Sequence, residues 1–484
     1  MMNPHPRSPI GDAISIRIFR LAIAGALLVI SACSVGPDYV RPALETPAAY
    51  KETEAVKGSQ SVDDVVRRSW WEIFADPELN SLEQQVEISN QNVAQAEAQF
   101  RQARALVQTA RAAYFPTVTA GIGITRTAPS ATAGSSTARN NKTFTEHSLP
   151  IDVSWEVDVW GRIRRSVESS EASAQASAAD LEAATLSARA ELAQDYFQLR
   201  SLDTQKQLFD STVVADEKSL ELTNNRYRSG IASRGDVLQA QTQLKTTQAQ
   251  AIDIGVARAQ MEHAIALLVG KAPADLTIPA APLAAQPPTI PAGVPAELLK
   301  RRPDVAAAER TVASANAQIG VAEAAYYPTV SIDTEGGFES SSASKWLSAM
   351  GRFWSAGLSA SETLFDGGAR KAQVNQARAL YDADVAAYRQ TVLAGFQEVE
   401  DNVAAQRILV TEAQAQDEAV QAAQQSLAVT MNQYQSGIVS YLNVVVAQTT
   451  ALANERTAVD ILGRRLTASV LLIKALGGGW KAPA

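Results

Sequence analysis

The chain is poor in the residues that build redox or metal chemistry. Its 484 residues include one cysteine and three histidines, His5, His147 and His263. A single cysteine excludes a disulfide framework within the chain, and so few Cys and His ligands leave no Cys/His zinc site. Aromatic residues are only 6%, a composition that suits alanine-rich helices packed at close distance better than a large globular core. Basic charge is short as well. There are 43 Lys and Arg against 51 Asp and Glu, a formal net charge of −8, and no basic run, which argues against a general nucleic-acid binder. After residue 32 no apolar run approaches the roughly 20 residues of a spanning helix. No nucleotide loop, no metal-ligand cluster and no nucleophile with a histidine base is present, so the sequence reads as a non-enzyme with no cofactor.

Proline is the most informative absence. None occurs from Ile151 to Ala272 or from Thr329 to Ala482, whereas Pro273 to Pro303 holds eight. Proline breaks helix interiors, so the two empty tracts are where long helices form. Arg162–Tyr227 has no glycine, and Arg370–Tyr434 has only Gly395. At 1.5 Å per residue each would span about 100 Å, a length that must be packed side by side in a coil or barrel.

The N-terminus reads as an address. Arg17 and Arg20 precede the apolar stretch Leu21–Ile30, and Ile30-Ser31-Ala32-Cys33 follows. A basic segment, a short apolar core and small residues make a secretory signal over residues 1–32. The cysteine directly after them is a lipobox arrangement, with cleavage before Cys33 and lipid on its sulfur. Ser34, rather than aspartate, fits sorting to an outer membrane. Several acyl chains at about 0.8 kcal/mol per buried methylene give a stable anchor.

The body is an internal repeat. Ala112-Ala113-Tyr114-Phe115-Pro116-Thr117-Val118 recurs as Ala324-Ala325-Tyr326-Tyr327-Pro328-Thr329-Val330. Asn225, Tyr227, Ser229, Gly230, Ile231 and Ser233 recur as Asn432, Tyr434, Ser436, Gly437, Ile438 and Ser440. Matches at well-separated places indicate a duplicated unit. Each copy reads helix, strand, loop, strand, long helix, tight turn, helix. The resulting division is a signal at 1–32, a lipidated segment at 33–78, a first repeat at 79–272, a Pro-rich linker at 273–303, a second repeat at 304–476 and a tail at 477–484. Expected strands are about 117–126 and 148–159, then 329–338 and 353–365. In both turns glycine ends one helix and serine caps the next.

Leu149, Ile151, Val153, Trp155, Val157 and Val159 alternate with Pro150, Asp152, Ser154, Glu156 and Asp158, the period of a strand with one wet face. The other strands alternate likewise, with Asp333 and Glu335 on the polar side of theirs. Strands of about 9–11 residues cross a bilayer when tilted. Two ordinary hairpins on a soluble core would show the same period; the lipid anchor and the polar loop after Thr125 favour membrane strands. Four strands cannot close a barrel, and open edges are not tolerated in lipid, so several chains would have to share one barrel. Asp152, Glu156, Asp333 and Glu335 could be mistaken for paired hydrolytic carboxylates, but they read better as an acidic lumen wall.

Ordered motifs then carry a resemblance. Val35-Gly36-Pro37-Asp38-Tyr39-Val40-Arg41-Pro42, Trp70-Trp71 with Phe74 and Asp76-Pro77, Arg301-Arg302-Pro303-Asp304, and Lys474-Ala475-Leu476-Gly477-Gly478-Gly479-Trp480 occur in that order. Together they resemble the TolC-type outer-membrane efflux proteins, in the lipoprotein branch that includes OprM and NodT, over nearly all of the mature chain. The resemblance implies a mainly α fold with a membrane β-barrel: a homotrimer with a twelve-stranded outer-membrane barrel continuous with a twelve-helix periplasmic α-barrel, the linker lying in an equatorial belt. It implies a passive exit duct for antibiotics or other small toxic compounds, joined by a periplasmic membrane-fusion adaptor to an inner-membrane pump of the resistance-nodulation-division type. Ducts for type I protein secretion or heavy-metal efflux are the alternatives. Under this resemblance Ser229, Gly230, Ser233, Ser436, Gly437 and Ser440 form adaptor-docking turns. Tyr434 matches the gate tyrosine and Asp236 its acidic partner, while two acidic gate positions fall on Asn443 and Val446. A latch between Asp236 and Tyr434 is therefore expected, with an apolar ring at Val446.

Overall fold

A computed structural model describes residues 34–52, 69–128, 143–291, 293 and 295–481. Cys33 and the signal lie outside the described residues. A 3-10 turn at Trp70–Phe74 precedes helices α1 (Pro77–Ser89) and α2 (Gln91–Ala112). Strands β1 (Thr117–Ala120), β2 (Gly123–Thr127) and β3 (Phe144–Val157) follow, then α3 (Arg162–Arg228) and α4 (Arg234–Leu268). Then come α5 (Pro295–Arg301), α6 (Pro303–Ala324), β4 (Thr329–Ser340), β5 (Arg352–Ser361), α7 (Ala369–Gln435) and α8 (Tyr441–Ala475). The proline-free tracts hold α3 and α7, each 67 residues long. Corresponding helices match in length: α2 and α6 have 22 residues, α4 and α8 have 35.

The chain divides into two compact units, to both of which α2, α3, α6 and α7 contribute. The first holds the sheet, residues 34–42 and the flanking helix segments. Its strands are antiparallel in the order β1-β3-β4-β5, and β2 also pairs with β3. One strand was expected over about 117–126; the structure breaks it between Ala120 and Gly123. Pro150 faces the gap. Its carbonyl accepts from Gly121 N at 2.9 Å, but a proline has no N–H to return the second ladder bond. β3 ends at Val157 rather than near 159 because Asp158 leaves the sheet to cap α3, accepting from Ile163 N at 3.0 Å and Arg164 N at 2.9 Å. β5 ends at Ser361, and Asp366 caps α7 by accepting from Gly368 N and Arg370 N. The pairings Thr117↔Ser154, Val157↔Val330 and Thr329↔Ser361 bring all four strand–helix junctions to one end of the sheet.

Residues 34–42 form a strap on this unit. Val35 N donates to Trp160 O at 3.0 Å, and Asn316 Nδ2 donates to Pro37 O at 2.9 Å. The buried Arg165 donates to Val35 O and Gly36 O and pairs with Asp38 at 2.9 Å. Gly36, at φ +95°, meets Gly320 so closely that a Cβ would lie 2.4 Å from Gly320 Cα. The Val-Gly-Pro-Asp motif is thus the seam by which the strap seats on α3 and α6.

The second unit gathers the remaining helical segments and the linker. Phe74 and Phe197 meet at 4.8 Å, Trp70 and Trp71 at 5.8 Å, and all four are buried. Asp76 caps α1 and accepts from Tyr196 Oη at 2.7 Å. Asp203, 3% exposed, accepts from Arg258 Nε at 2.7 Å, Arg200 Nη1 at 3.3 Å and Ala281 N at 3.1 Å. Arg258 and Arg200 in turn donate to Ile278 O and Pro279 O, so the Pro-rich linker is pinned where it has no ladder of its own. Arg302, between α5 and α6, pairs with Asp304 and Glu398 at 2.6 Å each and donates to Ala475 O, which explains the Arg-Arg-Pro-Asp motif.

Candidate functional site

The sheet register sorts the strands into two chemically different faces. On one, Asp152 lies opposite Thr119 and Glu335, and Ser154 opposite Thr117 and Asp333. Ser154 Oγ and Ser331 Oγ each donate to Asp333 at 2.8 Å, and Ser331 and Ser359 hydroxyls meet at 2.8 Å. Glu156 is not a bare acid. Arg162 pairs with it at 2.6 Å, so this face carries a neutralised pair there. On the other face Trp155, Ile332 and Leu358 align, as do Val157, Val330 and Ala360. Among the described residues this face is left largely open: Val118 is 63% exposed, Leu358 73% and Trp354 81%, while Trp155, Val157 and Val330 are half-buried. An apolar face of this kind marks a lipid or protein partner. Both outer strands leave an unpaired edge.

The two glycine turns lie in the second unit. Gly230 has φ +74° and Gly437 φ +79°, conformations that a Cβ disfavours. Each ends its helix with matching bonds: Ile231 N to Arg226 O, and Ile438 N to Gln433 O, both at 2.9 Å. Ser229 and Ser436 continue the helical bonding into the turns. The next helices begin differently. Ser233 Oγ accepts from Asp236 N at 3.1 Å, and Asp236 Oδ2 accepts from Ser233 N at 2.9 Å, a reciprocal capping box. Ser440 makes no side-chain cap, contrary to expectation. Asn443 stands where the first copy has Asp236; its amide lies 3.5 Å from Ser440 Oγ, and no capping box forms.

Tyr434 differs from expectation as well. It is 3% exposed, and its Oη meets Thr223 Oγ1 of α3 at 2.9 Å. Within the chain it does not pair with Asp236, whose carboxylate is occupied by its own cap. Arg226, one helical turn beyond Thr223, lies over the Tyr434 ring at 4.8 Å. The same guanidinium donates to Tyr434 O at 2.8 Å and Gln435 O at 3.0 Å, the last carbonyls of α7. Tyr441 packs edge-on against Tyr434 at 5.4 Å, in a cluster with Ala240 and Val444. Asp216, fully buried on α3, accepts from Thr247 Oγ1 at 2.8 Å, and burial raises its pKa. Val446 is 58% exposed, beside exposed Leu442 and Ile438. Thr223 and Arg226 did not emerge from the sequence. Their only signal was position, three residues apart on the stripe of α3 that faces the second helical hairpin, formed by α7 and α8 as α3 and α4 form the first.

Among the described residues no cluster of three His, Cys, Asp or Glu side chains could hold a metal ion. No described helix is long and apolar enough to cross a membrane.

The comparisons with known proteins agree in kind. A family model described as outer membrane efflux protein matches residues 82–271 and 294–478. The chain is 30% identical over 464 residues, 95% of either chain, to the toluene efflux pump outer membrane protein TtgC of Pseudomonas putida. It is 30% identical over 476 residues to nodulation protein T of Rhizobium leguminosarum bv. viciae, covering 96% of this chain and 94% of the relative. Of solved structures, the outer-membrane channel OprN matches at 32% identity and TM-score 0.86, covering 93% of this chain and 100% of that one. The open state of the Neisseria gonorrhoeae MtrE channel matches at 26% identity and TM-score 0.82, covering 93% and 99%.

Proposed function

This chain belongs to the outer membrane efflux protein family, and from that premise we propose how its parts serve a passive exit duct. It is an outer-membrane channel component of an efflux system, with a periplasmic part. With β1 and β2 counted as one broken strand, three chains joined edge to edge would turn the sheet into a twelve-stranded barrel and leave no open edge, as lipid requires. The same trimer would assemble a twelve-helix periplasmic barrel. The apolar face then meets lipid, and the face carrying Asp152, Asp333, Glu335 and the Glu156–Arg162 pair lines the lumen. Lipid on Cys33 adds a second hold on the membrane. Since TtgC is named for toluene, small toxic compounds are the proposed cargo, driven by an inner-membrane pump of the resistance-nodulation-division type. A periplasmic membrane-fusion adaptor would dock at the turns Ser229–Ser233 and Ser436–Ser440.

The observation that carries this reading is the exposed apolar sheet face opposite a hydrogen-bonded polar one. Val153 and Ser154 are neighbours on opposite faces of β3, in the part of the strand paired with both β1 and β4. Val153→Arg should cost roughly 2–4 kcal/mol of barrel stability if it lies near the bilayer midplane on the lipid side, and Ser154→Arg far less, while shifting ion selectivity away from cations. The check is the amount of heat-modifiable trimer in outer-membrane fractions, with selectivity measured in planar bilayers. Equal losses from the two variants would reject the assignment of faces.

The closed end is assigned to the glycine turns, with Asp236, Tyr434, Asn443 and Val446 on the helix ends that must converge. Within a chain the latch is better attributed to Arg226 and Thr223 holding Tyr434 than to Asp236. Adaptor binding would offset that hold and shift a bistable tip towards opening.

A further inference from the structure

We propose that the cleft between the strap and the start of α7 binds an anionic phospholipid, its phosphate held by Lys371 and Arg378. Two adjoining clefts of about 790 and 400 Å3 share Val35, Glu323, Tyr327 and Arg378. Their floor is apolar, made by Val35 with the buried Ile319 and Val374. One wall is aromatic: Trp160 stacks on Tyr327 at 4.9 Å and donates to Pro328 O at 2.9 Å. The rim is cationic. Arg378 pairs with Glu323 through one nitrogen at 2.8 Å, and its side chain remains 61% exposed, leaving guanidinium donors for a further acceptor. With Lys371 exposed nearby, the lining carries one net positive charge.

An apolar floor, a stacked aromatic wall and a cationic rim suit a ligand with acyl chains and a phosphate. The location selects a lipid. The cleft lies at the end of the sheet where all four strands pass into helices, an end that also carries Tyr114, Phe115, Tyr326 and Tyr327, each at least 37% exposed. Aromatic side chains of this type mark the level of lipid headgroups. Ser34, which lines the cleft, directly follows Cys33 in sequence. A lipidated Cys33 requires the strap to lie on the bilayer side, so the cleft opens to that side. This inference rests on the outer-membrane channel reading above.

The test uses the mature chain, purified folded in a mild maltoside and titrated with phosphatidylglycerol, phosphatidylcholine or inorganic phosphate under native mass spectrometry. Phosphatidylglycerol should be retained at one per chain and at least tenfold more tightly than phosphatidylcholine. Lys371→Glu with Arg378→Gln should abolish that preference without changing oligomer mass or heat-modifiable mobility, and Lys371→Glu alone should reduce it. Cys33→Ser should still bind phosphatidylglycerol. Equal binding of the two lipids, an unchanged double variant, or displacement by millimolar phosphate would overturn the proposal. So would binding seen only in Cys33→Ser, which would mean that the chain's own acyl groups fill the cleft. A chain that inserts in the outer membrane but shows no headgroup preference rejects the cleft alone; one that fails to insert rejects the channel reading.

Discussion

Arg226→Ala is expected to loosen the closed tip. The side chain gives two hydrogen bonds, 2.8 and 3.0 Å, to the final carbonyls of α7 and covers the Tyr434 ring at 4.8 Å. In a partly buried site, charge-assisted bonds together with the favourable end of the helix dipole and a cation–π contact amount to about 2–3 kcal/mol per chain. If that holds the second hairpin only in the closed form, its loss shifts the closed-to-open ratio about 30- to 150-fold. Open probability in a planar bilayer should rise accordingly, and cells should become sensitive to antibiotics too large for the resting channel. Arg226→Lys, which keeps the charge but not the planar fork, should fall between. A cycle on the buried pair separates the latch from general damage. Thr223→Val leaves the Tyr434 hydroxyl without its partner, costing about 1–3 kcal/mol, whereas Tyr434→Phe should cost about 0.5–1.5 kcal/mol. In the latter variant Thr223 still donates to Ser219 O at 2.8 Å. The double variant should therefore cost less than the two singles added together. Arg226→Ala channels that stay closed as the wild type does, while running as folded trimers, would refute the latch.

Burial places the Glu83 carboxyl at 0% exposure, with neither oxygen hydrogen-bonded to any described residue, and raises its pKa well above the ordinary value, against the pull of nearby Arg189. The folded chain therefore holds a proton that the unfolded chain releases, and stability falls as pH rises from the unfolded pKa towards the folded one. Glu83→Leu should raise the thermal midpoint at pH 8 and change it little at pH 4; a gain that is the same at both would refute the buried acid. Gly36→Ala should strain the strap by about 1–3 kcal/mol, because it puts a Cβ 2.4 Å from Gly320 Cα at φ +95°. Faster protease cleavage within residues 34–42 would show this, and wild-type resistance would reject it. Cys33→Ser should abolish fatty-acid labelling while leaving the strands able to insert; persistent label would reject the lipobox reading.

Much of the architecture was legible in one dimension because its causes are local. Proline bars a helix interior whatever surrounds it, so the empty tracts gave 162–227 and 370–434, where the structure has 162–228 and 369–435. A positive φ is open to glycine whatever it packs against, so Gly230 and Gly437 marked both turns. Period-two alternation depends only on the pleat, so β3 and its neighbours could be found, along with which residues share a face.

What required the tertiary structure were the pairings between distant residues. Tyr434 was visible as a tyrosine beside a turn, but its partners Thr223 and Arg226 lie about two hundred positions away, and only the packing of one hairpin on the other brings them together. Asp236 and Asn443 occupy equivalent positions, yet only the geometry shows one closing a capping box and the other not. The break between β1 and β2 arises because Pro150 lies across from Gly121 on the neighbouring strand, and Asp203 becomes a hub because the linker folds back onto it. The sequence by itself determined where helices, strands and turns lie, through steric limits that act within a few residues. Only the tertiary structure decided which polar groups satisfy one another, because hydrogen bonds and ion pairs depend on distances that chain separation does not encode.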